Sequence, residues 1–221
     1  MNTGLFIFDT KARGLKEVCA KNGFEVSIYC CGPTVYRDAH VGNLRTFLLG
    51  DLIKRTLTFS GYDSTLIQNI TDVGHLTSDA DAGDDKMEKA AAQQGRTAWD
   101  IAKFYTDAYW ADIERLNIRQ PYQWSIATDY VPRMIDFAKS IADQHCYELP
   151  SGLYFDTSTV ADYGRLARTT TEDGEGRIDS VDGKRQAADF AIWRKTPDGE
   201  TRQMEWDSPW GRGAPGWHSA R

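Results

Sequence analysis

Phe24-Glu25-Val26-Ser27-Ile28-Tyr29-Cys30-Cys31-Gly32-Pro33-Thr34-Val35-Tyr36-Arg37-Asp38-Ala39-His40-Val41-Gly42-Asn43 decides how the rest of this chain is read. Phe24, Val26 and Ile28 alternate with polar positions, as in a half-buried strand. Gly32-Pro33-Thr34 breaks that strand, and the spacing of Leu44, Phe47, Leu48, Leu52 and Ile53 predicts a helix after Asn43. Ser60-Gly61-Tyr62 ends the helix, and Ser64 to Ile70 reads as the next strand. A β–α–β order favours parallel pairing with a right-handed crossover, the first half of a Rossmann-like α/β nucleotide fold. Ligands bind such sheets beyond the carboxyl ends of the strands, where Cys31 and Asn69-Ile70-Thr71-Asp72 are expected to meet. The helix start there offers N–H groups and partial positive charge, and Gly42 lets a ligand approach the backbone. That is one way to build a phosphate site.

Working outward, the chain's 221 residues suffice for one sizeable core plus an insertion, or for two compact domains. A hydrophobic fraction of 41% and a charged fraction of 26% are ordinary for a soluble globular protein. No apolar run approaches a membrane span, and the first residues lack a basic-then-apolar signal segment. Cys19, Cys30, Cys31 and Cys146, two of them adjacent, make a poor disulfide framework and suit a reducing cytoplasm. The net charge of −6 argues against a broad basic surface for nucleic acid and leaves room for a local patch.

Leu5 to Phe8 reads as an edge strand. Asp79, Asp81, Asp84 and Asp85 form an acidic run that reads as a solvated helix start, without the spacing of a calcium loop. Trp99 to Leu116 and Val131 to Gln144 fit helices, and Cys146-Tyr147-Glu148-Leu149 with Leu153-Tyr154-Phe155-Asp156 a hairpin. Thr169 to Arg185 is polar and Gly-rich, as in a surface loop. Trp206, Trp210 and Trp217 sit among glycines and prolines that predict no regular element.

Three motifs carry a resemblance. Cys31-Gly32-Pro33-Thr34-Val35-Tyr36 followed by His40-Val41-Gly42-Asn43 resembles the first signature of the class I aminoacyl-tRNA synthetases, and more narrowly that of the cysteinyl-tRNA synthetases. Asn69-Ile70-Thr71-Asp72, with Gly74-His75-Leu76-Thr77-Ser78-Asp79-Ala80-Asp81 behind it, is similar to a segment of one subgroup, in which Lys86 matches a following basic residue. Ser208-Pro209-Trp210-Gly211-Arg212-Gly213-Ala214-Pro215-Gly216-Trp217-His218 resembles a third motif of that family.

The resemblance implies a cysteine–tRNA ligase that activates cysteine with ATP and Mg2+, transfers it to tRNA(Cys), and works as a monomer with one Zn2+. ATP is then bound by Pro33, Thr34, His40, Gly42 and Asn43, with His40 and Asn43 catalytic. Val41 and Asn43 stand where the family has Ile and a second His; Asn donates a hydrogen bond but carries no proton. Substrate cysteine is contacted by Cys31, Gly32, Thr34, Asn69, Trp217 and His218. Cys31 is implied as a zinc ligand, in a soft site that prefers a thiolate to the oxygen of serine. For His218 a packing role and a substrate contact stand side by side. Cys30 reads as structural, and His75 and His145 receive no role.

The implied architecture is the first half of a Rossmann-like class I nucleotide fold, interrupted by a connective α+β insertion. Residues 1–116 belong to the nucleotide-binding domain, 117–200 to the insertion, and 201–221 to the return. The family's further zinc ligands, its Lys-rich loop and its anticodon-binding region have no counterpart in these residues, so the chain is expected to be a truncated piece that is inactive alone. Two other readings compete: a related ligase making an amide between activated cysteine and an amino sugar, and a non-catalytic remnant. The Gly-His-Leu and Ser-Pro-Trp-Gly segments favour the tRNA ligase.

Overall fold

In a computed structural model, residues 4–74, 86–166, 182–216 and Ser219 are described. The acidic run, His75, the stretch 167–181, Trp217 and His218 lie outside them. A hairpin of β1 (Phe6–Asp9) and β2 (Gly14–Glu17) opens the chain. Then β3 (Glu25–Cys30), α1 (Val41–Phe59) and β4 (Asp63–Ile70) form the expected β–α–β unit. β3 and β4 pair in parallel, from Glu25 opposite Asp63 to Cys30 opposite Gln68.

The chain next forms α2 (Lys86–Gln94) and α3 (Ala98–Arg115), whose start is capped by the Thr97 hydroxyl accepting from the Asp100 N–H. It returns to the same sheet as β5 (Gln123–Ile126), parallel to β4. These residues fall in the stretch assigned from the sequence to the connective insertion, yet they supply the third strand of the nucleotide-fold sheet. The strand order β3-β4-β5 steps one way across the sheet.

α1 buries Phe47, Gly50, Asp51 and Leu57, with Phe47 packed among Tyr109, Ile113 and Ile118. Leu48 and Leu52, part of the predicted apolar stripe, are exposed instead. Gly50 faces Cys30, and a Cβ there would stand 3.0 Å from the Cys30 sulfur, so glycine sets the helix–sheet distance. Asp51 is buried because it is satisfied: Arg55 Nε donates to it at 2.6 Å and the Arg119 N–H at 3.2 Å. Val35, Ile70, Met87, Ala91, Ala98 and Ile101 form the main core between the sheet and α2–α3.

α4 (Val131–His145) leads into an antiparallel sheet of β6 (Cys146–Leu149), β7 (Gly152–Phe155), β8 (Phe190–Lys195) and β9 (Gly213–Pro215). β9 is a regular element where the sequence predicted none. Its pairing with β8 runs from Trp193 opposite Pro215 to Lys195 opposite Gly213. The segment before β9 bridges both layers: Gln203 caps α3 by accepting from the Ala98 N–H at 2.6 Å, while Trp206 and Trp210 pack on the core of the antiparallel sheet. Among the described residues no helix is long and apolar enough to cross a membrane.

Asp72, just beyond β4, locks the sheet to the turn after β5: it accepts from the Thr128 N–H at 3.0 Å and the Thr128 hydroxyl at 2.6 Å. Burial pushes its carboxyl up, the two Thr128 donors pull it partly back, and the Asp129 charge adds a further push. The folded protein therefore holds this proton more tightly than the unfolded chain. The contribution of Asp72 is most favourable at low pH and declines as pH rises from about 4 through the elevated folded value. Asp72→Asn should remove that decline in a series of urea midpoints taken across pH. Asp72→Ala, which strands the Thr128 donors, should cost about 1–3 kcal/mol, with the larger loss at low pH.

Candidate active site

The site is built where β3 stops. Its pairing to β4 continues past the strand ends, with the Thr71 N–H donating to Pro33 O at 2.9 Å and the Val35 N–H to Thr71 O at 3.1 Å. This holds Cys31-Gly32-Pro33-Thr34 against Asn69-Ile70-Thr71, as the β–α–β reading expected. The Gly32 N–H donates to Asn69 Oδ1 at 2.7 Å, Asn69 Nδ2 donates to Thr71 Oγ1 at 3.0 Å, and Gln68 Nε2 donates to Cys31 O at 3.2 Å. Pro33 is buried, Thr34 half-buried and Cys31 exposed.

Nine residues beyond Cys31, His40 caps α1. Its backbone is extended (φ −88°, ψ 168°), its Nδ1 accepts from the Gly42 N–H at 3.1 Å, and its own N–H donates to Asn43 Oδ1 at 3.2 Å. That reciprocal pair is a capping box made with His and Asn. The cap uses the Nδ1 lone pair, so the neutral ring carries its proton on Nε2, and the Asn43 NH2 has no partner among the described residues. His40, Val41, Gly42 and Asn43 are all exposed, and the first turn of α1 holds no acidic residue. The result is an open helix start with two side-chain donors, suited to an anion.

A cavity of about 300 Å³ adjoins this start, lined by the 31–39 loop together with Asn43, Thr46, Phe47, Tyr105 and Tyr109. Of the residues singled out from the sequence, Cys31, Gly32, Pro33, Thr34 and Asn43 meet on its wall; His40 and Gly42 stand beside it. Tyr109, 2% exposed, packs edge-on against Phe47, and burial pushes its phenol well above the usual range, with the Gln68 amide pulling slightly back. Burial, together with the Cys31 neighbour, also raises the Cys30 thiol, consistent with a structural Cys30 facing α1. Asn69 lines a second, larger cavity of about 670 Å³, between the parallel sheet, α4 and the antiparallel sheet, whose wall also includes Tyr29, Ser125, Phe155, Ile192 and Ser219.

Gln68, Tyr105 and Tyr109 were not singled out from the sequence. The available signal was Gln68 itself, a polar residue in the middle of an otherwise buried strand end, immediately before Asn69. Its neighbours on α3 read there only as core aromatics.

Zinc can be tested against the same residues. Among the described residues no three His, Cys, Asp or Glu side chains come together to hold a metal ion. A zinc site needs three or four ligands. Cys31 therefore does not make one with the described residues.

A family model described as the catalytic domain of class I tRNA synthetases (C) matches residues 17–220. The cysteine–tRNA ligase of Novosphingobium aromaticivorans is 64% identical over 214 residues, covering 97% of this chain and 43% of that protein. That of Zymomonas mobilis is 50% identical over 215 residues, covering 97% and 42%. Methionyl-tRNA synthetase of Mycobacterium tuberculosis, solved with methionyl-adenylate, shares the fold at a TM-score of 0.54 and 16% identity, over 89% of this chain and 45% of that one. The chain thus spans less than half the length of the relatives it matches. By the family match and by these identities, the chain belongs to the catalytic-domain family of the class I tRNA synthetases for cysteine.

Proposed function

We propose that these residues are the ATP-anchoring part of a cysteine–tRNA ligase, which joins the cysteine carboxylate to the α-phosphate of ATP and then esterifies the terminal ribose of tRNA(Cys). The observation that carries this reading is the open start of α1, with His40 and Asn43 presenting donors beside the cavity that Cys31 borders. In the first step the carboxylate oxygen attacks the α-phosphorus and pyrophosphate leaves, so the task of the site is positioning and charge neutralisation. His40 Nε2–H and the Asn43 NH2 meet the phosphates, supported by the α1 dipole. Pro33, Thr34 and Gly42 shape the backbone that the nucleotide approaches, and Mg2+ travels with the ATP. Cys31, Gly32 and Asn69 border the amino acid, with Trp217 and His218 assigned to it by motif. The four free cysteines suit a reducing cytoplasm.

A polypeptide that continues from this chain through the full length of its relatives is expected to catalyse cysteine-dependent ATP–pyrophosphate exchange and to charge tRNA(Cys). A well-folded full-length protein that exchanges pyrophosphate with no amino acid, or only with one other than cysteine, would overturn the assignment.

A further inference from the structure

The cysteine carbonyl and the glycine N–H between Cys31 and Gly32 belong to one peptide unit, and both ends of that unit are held by side chains of consecutive β4 residues. Gln68 Nε2 donates to the carbonyl at 3.2 Å, and Asn69 Oδ1 accepts from the N–H at 2.7 Å. Gln68 and Asn69 are 5% and 3% exposed, so neither amide competes with bulk water for its bond. Asn69 is itself tied to Thr71, and Gln68 sits beneath Gly32, where an added Cβ would come within 3.3 Å of its Cγ. We infer that Gln68 and Asn69 form a two-sided amide clamp on the Cys31–Gly32 peptide, which makes Gln68 a positioning residue for the Cys31 thiol.

The clamp has a physical rationale. Cys31 is the first residue past β3 and main-chain pairing to β4 resumes only at Pro33, so the intervening Cys31–Gly32 peptide has no main-chain partner of its own. An exposed thiol on such a hinge would sample many directions. With the peptide plane fixed from both sides, the thiol of Cys31 is kept at the cavity wall. The importance of that aim for cysteine activation rests on the proposed function; the clamp itself does not.

The test therefore uses the 221-residue chain and no substrate. In the unmodified protein, NMR should detect scalar coupling across both hydrogen bonds, and the Gly32 amide should exchange slowly. Gln68→Met keeps the length of the side chain but removes the donor. It is expected to speed Gly32 amide exchange about tenfold and to raise iodoacetamide labelling of Cys31 several-fold relative to the exposed Cys19, read by peptide mass spectrometry. Gln68→Arg, which restores a donor, should bring both rates back toward those of the parent. Absence of both couplings in the unmodified protein overturns the clamp without reference to any variant. Unchanged exchange and labelling in Gln68→Met, or equal changes in the Met and Arg variants, also overturn it. None of these outcomes bears on pyrophosphate exchange, which tests the synthetase reading separately.

Discussion

Full-length protein carrying His40→Asn is expected to lose cysteine-dependent ATP–pyrophosphate exchange by two to three orders of magnitude while keeping α1 intact. The substitution separates the cap that His40 makes from the phosphate contact proposed for it. As N-cap, His40 accepts from the Gly42 N–H through Nδ1, and Asn is among the best residues at that task, so the cap survives. In the proposed phosphate contact His40 offers Nε2–H beyond the ring, and the shorter Asn cannot reach the same point. Removing one preorganised donor from a transferring phosphoryl group costs roughly a hundred- to a thousandfold in rate. His40→Ala would remove the cap as well, at about 1 kcal/mol of helix stability, and would confuse the two effects. A polypeptide restricted to the 221 residues should show little or no exchange, because it spans less than half the length of its relatives. Exchange in that short polypeptide near the full-length rate, abolished by His40→Asn, would show that the remaining residues are dispensable.

The second large effect is structural. Gly32→Ala is expected to destabilise the protein by on the order of 3 kcal/mol, at the upper end of overpacking penalties. An ideal Cβ on Gly32 would stand 1.7 Å from the Asn69 carbonyl oxygen and 2.9 Å from its carbon. Both atoms are backbone within a strand paired on both sides, so neither can swing aside as a side-chain tip could. Relief would require pulling the 31–34 segment off β4, breaking the Gly32–Asn69 and Thr71–Pro33 hydrogen bonds. Gly14→Ala is the control, since nothing lies within 4 Å of its Cβ position; its urea midpoint should stay within about 0.5 kcal/mol of the parent. Equal, small shifts for the two variants would mean that the β3–β4 junction is looser than these contacts require.

The parts of this fold that could be read in advance are those specified locally. Phe24 to Ile28 alternates, α1 follows a capping segment, and Cys146 to Phe155 pairs across a Gly-containing turn, so strand, helix and hairpin follow from neighbours in sequence. β5 did not announce itself: Gln123–Ile126 is four residues long, follows a proline, and becomes a strand by pairing with Ile67 to Ile70. β9 is harder still, because Gly213-Ala214-Pro215 has no strand preference and is ordered by β8. The apolar stripe assigned to α1 was partly misplaced for a similar reason. Gly50 and Asp51 occupy the buried face, the one for close approach to Cys30 and the other through bonds to Arg55 and Arg119, and both partnerships are tertiary. At the site, motif spacing put Cys31 beside Asn69 and His40 at a helix start. The role of Gln68 depends on where the peptide of another strand lies, which no local pattern encodes.

Titration of the 221-residue chain with ATP, followed by amide NMR, reads whether the start of α1 binds the phosphates as proposed. Saturable shifts are expected, centred on Val41, Gly42, Asn43 and Leu44 and extending to Gly32 and Thr34, with affinity weakened at least tenfold in His40→Asn. No saturable shift at millimolar ATP would contradict that binding, as would shifts confined to the larger cavity around Tyr29 and Ser125 that are indifferent to His40→Asn.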